Sequence, residues 1–316
     1  MSEERAKDGT TLFSGRPLRP TPVVVHPPFP VVPPEQRGRG TYRLRFEDLA
    51  QDGRILFEPI VASIGAAVWR PLLSKNPMLA SLQASGVRPI FTRLVLVGTA
   101  AALDASYPLT ADGAYELAYE PDLQGGVARI FLNMWTEIAW EREPEDGRPA
   151  ERVIAGRMFG EHVLTRLHPS PEQRRVTEIP GLPQPTTQYR QPPREDLLGL
   201  PAGASWLEPA PRADAAPLAF GLFHTDPNHH VNSLVYPRVF EEAALRRFHD
   251  LGRDTKVLGR TLEVAYRKPF FAGQSATLSL RAFSSGSGLG AAGVFEGTNA
   301  APGTKPHAYL RISFEP

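Results

Sequence analysis

The chain has 316 residues, 41% of them apolar, which is enough to build cores in two ordinary domains or one large one and argues against disorder of the whole. A formal net charge of +1 sets up no field for nucleic acid or an anionic membrane surface, and the absence of cysteine excludes disulfides, thiolate metal sites and a cysteine nucleophile. No apolar run is long enough to span a bilayer, and the charged opening MSEERAKDG lacks the apolar core of a secretory signal, so a cytoplasmic chain is expected.

Residues 1–40 are rich in proline, with Pro27-Pro28 and Pro33-Pro34 around short valine runs, and read as an extended arm. Residues 41–167 carry the pattern of a first folded unit. Tyr42 opens an alternating strand, the polar run from Asp48 to Arg54 reads as a turn, and residues 56–73 are apolar at helical spacing with Trp69 near the end. Strands are expected near 92–99, 114–119, 127–140 and 152–167, with Asp112-Gly113 and Gly125-Gly126 as hairpin signals. Prolines then recur through residues 168–216, among them Pro169, Pro171, Pro180, Pro183 and Pro185, and mark a linker. Residues 217–316 repeat the earlier order: a strand over 217–223, a polar loop, a helix, and strands near 260–267, 276–283, 289–296 and 307–314. Phe223 with its loop matches Phe46 with its own, and Lys268-Pro-Phe-Phe-Ala-Gly parallels Tyr107-Pro-Leu-Thr-Ala-Asp-Gly.

The second polar loop holds the densest chemistry, in the run HTDPNHHVNSLVYPRVFEEAALRRFHDL from His224 to Leu251. Asp226, Asn228 and His230 alternate on a segment that reads as extended, because the residue before Pro227 is pushed out of the α region, so three polar tips can point one way. A helical pattern follows, with Val235, Val239, Phe240, Ala243, Phe248 and Leu251 on the apolar face. The start of a helix leaves backbone N–H groups unpaired at the positive end of its dipole, which suits a carbonyl oxygen becoming an oxyanion. A carboxylate, an amide and an imidazole beside it make an acyl-transfer site.

Asp-x-Asn-x-His-Val-Asn, followed by Tyr236 and then Glu242, resembles the hot-dog fold acyl thioesterases, particularly those of fatty-acid synthesis that act on acyl carrier protein. The resemblance implies an α+β fold: a double hot-dog, two units each with a long helix wrapped by a curved antiparallel sheet. Such a chain is a monomer with an internal pseudo-dimer, or a homodimer. It implies hydrolysis of a thioester carried by acyl carrier protein or coenzyme A, in fatty-acid or polyketide metabolism, with no metal or other cofactor. Asp226 carries over as base or nucleophile, Asn228 as donor to the thioester oxygen, His230 as proton-transfer group and Glu242 as a second carboxylate, with Val231 and Tyr236 binding substrate. The first loop has Glu47, Asp48, Asp52 and Arg54 but no histidine, so one working site per chain is expected. Two departures stand out: Ser233 where the family often has a second Asn, and Pro237 inside the first helical turn. Double hot-dog acyltransferase/decarboxylases and dehydratases that tailor polyketides, or an acyl-binding protein without activity, are the alternatives.

Each residue also has a plainer reading. Asp226 and Asn228 are common turn formers, His230 suits a structural histidine, and Asn232 and Ser233 suit helix capping. Glu242 fits a solvated helix face. His224, Asp226, His229 and His230 together resemble a zinc set, but adjacent histidines on an extended chain face opposite ways. Gly288-Leu-Gly290-Ala-Ala-Gly293 matches a dinucleotide fingerprint on paper, yet it lies between strands with no helix after it.

Overall fold

The computed structural model describes residues 24–316 apart from 51, 107, 143–150, 167–169 and 302. Most of the proline-rich arm, Tyr107 of the internal match and Pro169 of the linker fall outside the described residues. The chain divides into two compact units, one built on Val25–Pro192, the other on Pro193–Leu258 and Leu262–Pro316.

In the first unit five strands, β1 (Arg37–Arg43), β2 (Val87–Gly98), β3 (Pro108–Pro121), β4 (Val127–Arg142) and β5 (Glu151–Arg166), follow the order β1-β3-β4-β5-β2. Every neighbour in that series is antiparallel. Helix α1 (Phe57–Ile64) runs on as a π-helix over Gly65–Leu73, so the expected helical span is present with a change of pitch. Pro71 lies inside that stretch and has no N–H to give, and Ser74 N donates five residues back to Trp69 O at 2.8 Å. The helix presses on the sheet where the strands have no side chain: a Cβ on Gly38 would lie 2.1 Å from Ala67 O, and one on Gly40 2.3 Å from Ala66 O. Val68, Leu73, Tyr115, Ile130, Leu132, Met134 and Leu164 close the core.

Three local expectations change. The strand expected from Tyr42 begins at Arg37, and Phe46–Asp48 forms a 3-10 turn instead. Asp112-Gly113 is no hairpin; both residues lie inside β3, where Asp112 pairs with Glu137 and Gly113 with Thr136. The close approach of Ala67, 2.8 Å from a Cβ built on Gly113, accounts for that glycine. Helix α2 (Pro77–Ala84) was not expected; Asn76 caps it by accepting the Met78 N–H at 2.9 Å. Gly125-Gly126 does turn the chain, with Gly125 at φ 85° and Asp122 N bonded to Gly126 O at 2.8 Å.

On the sheet face opposite the helix, a bulge between Phe91 and Arg93 turns Thr92 toward Glu161. Glu161 is fully buried and accepts from Thr92 Oγ1 at 2.5 Å, Tyr189 OH at 2.6 Å and Gln191 Nε2. Tyr189 and Gln191 come from the proline-rich stretch, which also lays Thr187–Gln188 parallel to β3.

The second unit has helix α3 (Val235–Asp250) and strands β6 (Leu258–Tyr266), β7 (Ser275–Ser285), β8 (Gly288–Gly297) and β9 (Ala308–Glu315) in the order β6-β9-β8-β7. The stretch Gly288–Gly293 forms part of β8. Tyr236, Pro237, Phe240, Ala243, Ala244 and Phe248 are the buried stripe of α3, so Val235 and Val239 flank the core and do not form its centre. Residues 204–206, 212–213 and 218–219 make short strands along the outer edge of β7. Arg311, 2% exposed, donates to the carbonyls of Asp196, Leu197 and Gly199 and fastens the segment before them. No helix among the described residues is long and apolar enough to cross a membrane.

Candidate active site

The alternating polar residues sit on a reversal of the chain, not on an extended strand. Thr225 bridges antiparallel to Val231, Asp226 N donates to His230 O at 3.0 Å, and His229 N donates to Asp226 O at 2.9 Å. Proline in the second place of the turn and His229 at φ 63° complete a three-residue hairpin loop. Asp226 Oδ1 accepts the Asn228 N–H at 2.8 Å, so the plain Asx-turn reading of this carboxylate holds its hydrogen bond.

Asp226 and His230 are half-buried at the base of the loop, and Asn228 is exposed at its tip. Among the described residues no side chain of the three bonds to a side chain of the other two, and Asp226 Oδ2 and the Asn228 amide group are unengaged. His230 bridges to Phe271, and their rings meet edge to face with centroids 5.2 Å apart. Val231 is buried and donates its N–H to Phe270 O at 2.8 Å, which pins the loop to the chain entering β7.

Asn232 joins the loop to α3. Its side chain accepts from Leu234 N at 2.9 Å and its carbonyl from Val235 N at 3.0 Å. Two amides at the helix entry are therefore taken, and fewer donors are left for an oxyanion than a bare helix start would offer. Tyr236 is buried among Tyr266, Phe270 and Phe295; burial pushes its phenol up to about 12, and its oxygen accepts the Phe270 N–H at 3.2 Å. Tyr266 donates to Ser233 O at 2.7 Å, so Ser233 contributes through its backbone.

Glu242 points outward, with a side chain 61% exposed and Arg246 at 3.8 Å. Its neighbour Glu241 is half-buried. Burial, with the nearby charge of Glu242, pushes Glu241 up to about 7. It lies four residues after Pro237 and three before Ala244, at the margin of the buried stripe, and the resemblance pointed to Glu242 instead.

Two histidines have structural places. His224 Nδ1 accepts from Gly221 N at 2.9 Å and closes a 3-10 turn. His307, outside the motif, stacks on Phe270 at 3.8 Å between centroids. No group of three or more His, Asp or Glu side chains among the described residues could hold a metal ion. A groove of about 640 Å³ runs beside the C-terminal half of α3, lined by Arg212, Asp214, Arg246, Arg247 and His249, and includes none of the motif residues.

Neither the family models nor the curated protein sequences match this chain. Solved structures do. A protein assigned as an oleoyl thioesterase from Lactobacillus plantarum superposes with a TM-score of 0.56 at 17% identity, over 88% of this chain and 95% of its own. An acyl-ACP thioesterase from Bacteroides thetaiotaomicron gives 0.53 at 14% identity, over 89% and 98%. The 12:0-ACP thioesterase from Umbellularia californica gives 0.50 at 12%, over 91% and 100%. The chain has the hot-dog fold. At these identities the likeness speaks for the fold, in a chain that is mostly antiparallel sheet with few helices. The hot-dog frame places the polar hairpin loop at the entry to the buried helix of the second unit.

Proposed function

We propose that the protein hydrolyses acyl thioesters of acyl carrier protein or coenzyme A at the loop Asp226–His230, using a double hot-dog scaffold. One observation carries this reading: Asp226 is half-buried, its Oδ1 is held by the Asn228 N–H, and its Oδ2 is unengaged at the mouth of a loop that leads into a buried helix. The solved thioesterases of the same fold support it.

Asp226 Oδ2 takes a proton from water as the water attacks the thioester carbonyl, or attacks that carbon itself. The Asn228 amide donates to the oxygen as it becomes an oxyanion, a role the exposed tip of the loop allows once substrate covers it. His230 hands a proton to the departing thiolate. Val231 and Tyr236 form the apolar side of the acyl site, and Glu241 replaces Glu242 as the second carboxyl of interest.

The test is thiol release from short, medium and aromatic acyl-coenzyme A and acyl-carrier-protein substrates, with product masses recorded. Asp226→Asn is expected to lower kcat by about 100-fold or more. Free acid from wild type alone upholds hydrolysis. Transfer to an acceptor, loss of carbon dioxide or loss of water in the products would move the protein to the tailoring enzymes, and acyl binding without turnover would make it a binding protein.

A further inference from the structure

Several charges of the second unit are paired. Arg246 meets Asp214 at 2.6 Å, Arg247 meets Glu208, and Arg212 lies 3.9 Å from Glu208. Arg267, Lys268 and Lys305 are brought together by the backbone: all three are exposed, and among the described residues none forms an ion pair with a carboxylate. The chain has only 5 lysines, and two of them are here.

The three residues lie on two fastened segments. Arg267 N and Lys268 N both donate to His307 O, at 2.8 and 3.1 Å. The Arg267 guanidinium donates from Nε to Pro306 O at 2.6 Å and from Nη2 to Lys305 O at 2.5 Å. Two of its N–H groups are thus used to hold it in place, and the rest of the fork is left for an acceptor. The positive charge is felt locally: burial first, then Lys268, holds His307 below the usual histidine range. His307 stacks on Phe270, Phe270 O holds Val231, and Phe271 bridges His230, so the cations share one framework with the polar loop.

We propose that Arg267, Lys268 and Lys305 form a binding site for the phosphate that ends the pantetheine arm of the thioester substrate. This rests on the thioester reading of the Asp226 loop. The shared ligand chemistry is a phosphate ester on a pantetheine chain, supplied by coenzyme A or by the phosphoserine of a carrier protein. Uncompensated cations at the surface need shed little hydration and give up no partner carboxylate when a phosphate arrives, whereas the paired arginines around the groove would have to break ion pairs.

The experiment uses the full chain as wild type, as Lys268→Gln/Lys305→Gln, and as that pair with Arg267→Gln added. Because Arg267 also braces two carbonyls, the lysine pair alone decides the result. Equilibrium binding of coenzyme A, of a holo carrier protein and of phosphate-free pantetheine is measured beside steady-state hydrolysis. The lysine variant is expected to bind the phosphate-bearing ligand about tenfold more weakly or worse, with pantetheine unchanged and KM, not kcat, carrying the effect. Loss confined to coenzyme A, or to the carrier protein, identifies the source of the phosphate. Equal binding by wild type and variant, an equal loss with pantetheine, or no binding of either phosphate ligand by wild type overturns the site. Wild-type binding that needs the lysines without any thiol release would keep the phosphate site and remove the hydrolase reading.

Discussion

Glu241 is a residue whose charge depends on its place in the fold. Its folded carboxyl binds a proton more tightly than in the unfolded chain, so its contribution to stability is complete below 4.5 and is lost as the pH rises through about 7. Glu241→Gln is expected to raise Tm near pH 9, by a stabilisation on the order of 3 kcal/mol or less, and to leave Tm nearly unchanged near pH 4. Thermal melts of both proteins across that range check it. The motif stood out in the sequence through its resemblance to the hot-dog thioesterases and its place before a helix pattern. Its shape did not, although Asp before proline is itself a turn signal: the period of two in the polar residues suggested a strand, and a three-residue hairpin loop produces the same spacing. Glu241 was hidden for a related reason, since a carboxylate in a helix is read as solvated until the buried stripe is placed to within one residue.

Elements are set by packing that sequence patterns record unevenly. The long helices and most strands were visible in apolar periodicity, because one face of each is buried. Asp112-Gly113 misled because a glycine that admits a neighbouring helix looks the same in sequence as one that turns a chain. The same close approach makes Gly38 sensitive. Gly38→Ala would put a Cβ within 2.1 Å of Ala67 O, against backbone that cannot swing aside. A loss of about 1–3 kcal/mol is expected, read as a lower urea midpoint at unchanged m-value.

Across the whole chain the two units repeat one order of elements, down to an exposed phenylalanine in a 3-10 turn: Phe46 at 89% and Phe223 at 105%. The loops after them have diverged. In the first, Asp48 is buried and accepts from Arg45 N at 2.8 Å and Arg45 Nη2 at 2.8 Å, so its carboxylate is committed to the turn. Asp48→Asn is therefore expected to lower the urea midpoint while kcat/KM for thiol release stays within about twofold. A matching loss of activity would give the first loop a part in the chemistry. The repeat itself was faintly legible, in element order more than in identity.

The proline-rich stretch ahead of the polar loop carries a constraint that its composition conceals. Its short strands at 204–206 and 212–213, with the strand at 218–219 that follows it, cover the hydrogen-bonding groups of β7 that would otherwise face water, and prolines occupy positions between them. Over evolutionary time such a segment is free to drift in the residues between its contacts and to lengthen there. It is not free to shrink, because every shortened descendant would expose a bare strand to its own sister molecules.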